Sequence, residues 1–151
     1  MNVTAHSVAR RFLNPKIEEV EGIISNPLIL AMLRLDNDWV TDDATPWCSA
    51  FVSFVAWILD LPRSRSLSAR SWLLIGEPVA LEDAAPGFDV VILKRGKGPQ
   101  PGAEVLKAPG HVGFLAGWEG LDVLVLGGNQ GNAVTVQRWP RSSVIGIRRL
   151  A

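Results

Sequence analysis

The chain has no tyrosine, a single cysteine, two histidines and no net charge, fifteen Lys and Arg being cancelled by fifteen Asp and Glu. One cysteine, Cys48, excludes an intramolecular disulfide, and with only His6 and His111 beside it a structural zinc site lacks soft ligands. The charge balance argues against nucleic-acid binding and against stable membrane attachment, because both rest on a basic excess. The most apolar run, residues 50–59, is too short to span a bilayer and is interrupted by Ser53. The start, Met1-Asn2-Val3-Thr4-Ala5-His6-Ser7, has no apolar stretch and no small-residue cleavage site. No Sec signal peptide is therefore expected, and synthesis in the cytoplasm is. What is present is the composition of one well-cored domain spanning 1–151: 151 residues, 48% of them hydrophobic and 20% charged. The chain is expected to be a monomer.

The first half, to about residue 76, reads as helical, and residues 77–151 read as strands. Residues 3–13 form an amphipathic pattern. Asn26-Pro27 is a cap followed by proline at the first helical position, which predicts a helix over 28–35. Thr45-Pro46 repeats the signal ahead of an almost wholly apolar segment that Pro62 must end. A helix apolar nearly all round, with only Ser49 and Ser53 as a small polar stripe, is a buried central helix. A further short helix is expected over 67–75, closed by Gly76. Strands are expected over 88–94, 111–118, 122–127, 133–139 and 144–150, with a Gly- and Pro-rich loop over 95–109. Helices first and an antiparallel meander afterwards predict the α+β class.

With Thr45 as cap, Cys48 falls at the third helical position. There the free N–H groups and the positive end of the helix dipole favour a thiolate, and such sites lower a cysteine pKa to roughly 3.5–7.5. The competing reading is a small buried hydrophobe. His111 opens a strand directly after Pro109-Gly110, which places its imidazole at a sheet edge. A three-residue hairpin loop of Glu119, Gly120 and Leu121 would make His111 and Asn129 cross-strand partners on one face. An amide there can hold the ring's tautomer, whereas a one-residue slip would turn Asn129 away.

Five ordered blocks carry a resemblance: Thr45-Pro46-Trp47-Cys48-Ser49-Ala50-Phe51-Val52, Ala69-Arg70-Ser71-Trp72, Pro86-Gly87-Phe88-Asp89-Val90-Val91, Gly110-His111-Val112-Gly113-Phe114 and Gly127-Gly128-Asn129-Gln130. From about Glu21 onward the chain resembles the CHAP-like amidohydrolases, cell-wall peptidases related to the NlpC type, most of all the small single-domain versions in phage lysis enzymes. The resemblance implies a papain-like α+β fold and hydrolysis of a peptidoglycan amide bond. Cys48 would be the nucleophile, His111 the general base and Asn129 the residue orienting the imidazole, with no metal or cofactor. Trp47, Trp72 and Gln130 are the candidate substrate contacts, although tryptophans in a compact domain more often pack the core. The chain departs from the family in Phe88, inserted into the usual Pro-Gly-Asp turn, and 151 residues leave no room for a separate wall-binding module.

The resemblance implies a phage or prophage endolysin acting in the periplasm or cell wall after holin-type release. A secreted interbacterial amidase toxin, a non-catalytic phage structural protein and a cysteine acyltransferase are the competing readings. The acidic run Asp36-Asn37-Asp38 with Asp42-Asp43 lacks the Gly and closing Glu of a calcium loop and is expected to be solvated. Arg138, Arg141, Arg148 and Arg149 offer a basic cluster for anionic wall polymer or, more plainly, solubility.

Overall fold

The computed structural model describes residues 2–22 and 24–151. Among the described residues three α-helices precede the sheet: α1 (Ala5–Ala9), α2 (Pro27–Arg34) and α3 (Cys48–Ile58). Thr4 and Ser7 form a reciprocal capping box on α1, which continues as a 3-10 turn over Arg10–Phe12. The regular helix is therefore shorter than the amphipathic pattern suggested. Asn26 caps α2 through its side chain, with Pro27 at the first position, as the sequence implied.

The start of α3 differs from expectation. Neither Thr45 nor Pro46 belongs to it; Trp47 occupies the cap position with φ −125° and ψ 15°, and Cys48 is the first helical residue, not the third. The indole of Trp47 explains the shift. It is fully buried, its Nε1–H donates to Glu19 Oε1 at 2.9 Å, and that anchorage holds its backbone outside helical geometry. The segment expected as a helix over 67–75 is a 3-10 turn, Ala69–Leu74. Gly76 follows it at φ +69°, where a Cβ would run into the Arg149 carbonyl.

The six strands are β1 (Glu77–Pro78), β2 (Asp89–Lys94), β3 (Gly110–Glu119), β4 (Asp122–Gln130), β5 (Ala133–Pro140) and β6 (Val144–Arg149). All are antiparallel in the order β1-β6-β2-β3-β4-β5. Strands β2 to β5 form the expected meander, but β6 does not extend it: it returns to the far side and pairs with β2, so that Asp89 lies opposite Arg149. The class is α+β, with a buried central helix packed on an antiparallel sheet.

Alternation along the strands divides the core. Val90, Ile92, Val112, Phe114 and Leu126 face the helices and meet Phe51, Val52 and Val55 of α3. Val91, Leu93, Leu115, Val125 and Ile147 point to the other face, where Trp118 and Trp139 cover them. Gly128 lets β4 approach α3, since a Cβ there would stand 2.6 Å from the Trp47 ring.

The charged side chains expected at the surface are mostly engaged. Asp36 is gripped by Arg63 through two hydrogen bonds of 2.9 and 3.0 Å, and buried Asp43 accepts from the backbone N–H groups of Val20 and Asn26. Asp89 is buried, paired with Arg149 at 2.7 and 2.8 Å and capped by the Ala85 N–H, so Phe88 does not turn it outward. Arg138 pairs with Glu119 and Asp122, Arg148 donates to the Ile75 carbonyl, and Arg141 lies over Trp118.

Candidate active site

Cys48 opens α3 and His111 lies one residue into β3, which packs against that helix. The thiol lines a cavity of about 380 Å³ with Pro46, Leu67, Ser68, Arg95, Pro109 and Asn129. It is only 4% exposed. Burial raises its pKa above the ordinary thiol value; the N–H groups of Val112, Ser49 and Cys48 itself and the charge of Arg95 pull the other way without prevailing. Contact with the Val112 backbone places the sulfur beside the residue that follows His111.

His111 is fully buried, its ring stacked on Trp139 at 5.0 Å and 15°. Its Nε2 lies 2.9 Å from Gln130 Oε1. The Gln130 amide cannot be reversed without loss, because its Nε2 donates to the carbonyls of Val125 and Thr135 at 3.1 and 2.8 Å. Its Oε1 also accepts from Trp139 Nε1 at 3.1 Å. Oε1 therefore faces the imidazole and needs a donor, so Nε2 carries the proton and Nδ1 keeps its lone pair. The neighbour of Nδ1 agrees: it is Arg95 Nη1, 3.3 Å away, and a guanidinium only donates.

Burial and the Arg95 charge lower the His111 pKa to about 4, against the opposing pull of Gln130. At neutral pH the resting pair is thus a thiol and a neutral imidazole, not the thiolate that the helix start alone suggested. The site holds an unprotonated imidazole nitrogen that faces Arg95, a thiol at a helix start, and the Arg95 cation on the cavity wall.

Four expected positions change. The imidazole's partner is Gln130, not Asn129. Asn129 adopts φ +57° at a register shift between Gly127 and Gln130, and this left-handed residue turns the next side chain, Gln130, toward His111. Asn129 borders the cavity, and its carbonyl faces Arg95 Nη2 at 3.4 Å. Trp47 and Trp72 are fully buried, their indole N–H groups bound to Glu19 and Ser49, and so offer no surface to a substrate. Gln130, 2% exposed, is likewise behind the histidine rather than in the cavity.

Sequence reasoning missed Arg95, Trp139 and the function of Arg70. Arg70 is fully buried and donates to the carbonyls of Pro109, Gly102, Val105 and Pro101 at 2.7 to 3.0 Å. It thereby ties down the 95–109 loop, whose end walls the cavity. The signal was an arginine inside an otherwise apolar and small-residue block, Leu67-Ser68-Ala69-Arg70-Ser71-Trp72.

No family model and no curated protein matches the chain. Among solved structures it is similar to NlpC1 from Trichomonas vaginalis, at 16% identity and a TM-score of 0.47, over 99% of this chain and 45% of that one. The chain spans less than half the length of that protein.

Proposed function

We propose that the protein is a cysteine amidohydrolase of the CHAP or NlpC type that cleaves an amide bond of peptidoglycan, with Cys48 as nucleophile, His111 as base and Gln130 as the residue orienting the imidazole. The observation that carries this reading is the fixed tautomer of His111: Gln130 holds Nε2–H, and the unprotonated Nδ1 faces Arg95, which borders the cavity that Cys48 lines. Because thiol and imidazole both rest neutral, His111 Nδ1 takes the Cys48 proton as the sulfur attacks the amide carbonyl. The oxyanion is held by the free N–H at the start of α3. The imidazolium then protonates the leaving amine, and a water activated by the same nitrogen hydrolyses the thioester.

Cys48→Ala and His111→Ala are each expected to abolish turbidity loss of permeabilised bacterial cells while the far-UV circular dichroism is unchanged. Lysis at near-wild-type rate by either variant would sink the assignment. Mass spectrometry of the released muropeptides distinguishes the muramoyl–alanine amide from a bond within the stem peptide. Within this reading the chain serves as a phage endolysin released by a holin, with injection as an interbacterial toxin as the other route.

A second reading, a non-catalytic protein that keeps the fold, is favoured by the 4% exposure of Cys48. Iodoacetamide separates the two: a thiol inert in the folded protein supports the second, and modification in step with loss of lysis supports the first.

A further inference from the structure

Among the described residues, Arg95 is the one charged residue that lines the Cys48 cavity. Of the other arginines near the sheet, Arg138 and Arg149 are paired with carboxylates, Arg70 donates to four carbonyls, Arg148 donates to the Ile75 carbonyl and Arg141 lies over Trp118. Arg95 has two long contacts, 3.3 Å to His111 Nδ1 and 3.4 Å to the Asn129 carbonyl, and among the described residues no carboxylate lies within ion-pair distance of it. Both contacts are at the limit of a hydrogen bond. Arg95 is an exposed residue that borders both the Cys48 cavity and a second hollow lined by Gln100 and Trp139.

This placement opposes the chemistry of the empty site. The nitrogen that must accept the thiol proton already faces an N–H donor, and a positive charge beside it disfavours the imidazolium. The charge of Arg95 indeed lowers the His111 pKa. An anion on the guanidinium removes both obstacles: it offers the fork a better acceptor than Nδ1 and neutralises the charge.

Resting on the amidohydrolase reading, we propose that Arg95 is a specificity-determining residue that binds a carboxylate of the substrate next to the scissile amide and, on doing so, releases the His111 Nδ1 lone pair to Cys48. The substrate class is a peptide with a free carboxylate within one residue of the cleaved bond. A substrate with that group amidated is a poor one, because it leaves the guanidinium on the base.

Cys48 itself reports on this without any peptidoglycan. Iodoacetate and iodoacetamide differ only in the carboxylate, so the ratio of their alkylation rates measures anion recognition at the thiol. The wild type is expected to favour iodoacetate by about tenfold or more, and Arg95→Gln to lose that preference with circular dichroism unchanged. Arg95→Lys, which keeps the charge and loses the fork, is expected to fall between. Equal ratios in wild type and Arg95→Gln would overturn the proposal. If the thiol reacts with neither reagent, the ring 1H–15N signals of His111 are followed as N-acetyl-alanine is added. A shift that vanishes in Arg95→Gln supports the proposal, and a shift indifferent to Arg95, or none, overturns it. Failure to hydrolyse any muropeptide would refute the amidohydrolase reading alone, since neither measurement depends on it.

Discussion

At the scale of single residues, the site is governed by one hydrogen bond, from His111 Nε2–H to Gln130 Oε1. Removing it frees the ring to change its tautomer and orientation. Gln130→Ala is expected to lower kcat about a hundredfold, whereas Asn129→Gly, which keeps the left-handed backbone, should stay far closer to the wild type. Muropeptide turnover on both variants, with thermal melting as a control, checks this; equal loss would mean that the bulge, rather than the amide, matters. The placement of Cys48 at a helix start and of His111 near a strand start was legible, because a cap signal and a strand onset are local patterns. The side chain that bonds the imidazole was not. Its identity depends on a single left-handed residue at Asn129, and a one-residue change of register exchanges which side chain faces the ring.

At the scale of elements, periodicity and proline placement made α2, the central helix and strands β2 to β6 readable to within a few residues. The start of α3 was misplaced because Trp47 is held by Glu19, a partner 28 residues away. Tertiary anchorage of this kind overrides a local cap. The 95–109 loop shows the same dependence. It contributes almost no apolar surface to the core, and its conformation rests on Arg70, which supplies a buried positive charge matched only by carbonyl dipoles. Arg70→Met fills the space but leaves four carbonyls without donors, and is expected to cost about 3 kcal/mol or more. Denaturant midpoints give the magnitude, and hydrogen exchange should locate the loosening in residues 95–109. Faster exchange spread evenly over the sheet would contradict a loop-specific role.

At the scale of the whole molecule, His111 couples protonation to unfolding. Its folded pKa, about 4, lies below the ordinary 6.5, so the unfolded chain binds the proton more tightly. Stability is thus fully present above pH 6.5 and falls as the pH drops from 6.5 toward 4, by about 3 kcal/mol in all. His6, lowered by burial and by Arg10, acts in the same sense. Urea titrations over this interval should show the decline, and His111→Gln should flatten most of it. A wild-type profile level across the interval would mean that the imidazole is not buried in its neutral form.

The return of β6 has a consequence for assembly. The hairpins β2-β3, β3-β4 and β4-β5 join neighbours in sequence, whereas Asp89 and Arg149 are brought together across 60 residues. Closing that loop costs more chain entropy than closing any of the hairpins. A chain that has already formed its four-strand ribbon still leaves Val91 and Leu93 without the neighbour that Ile147 provides, and the second half of the core stays open to water until the final strand arrives.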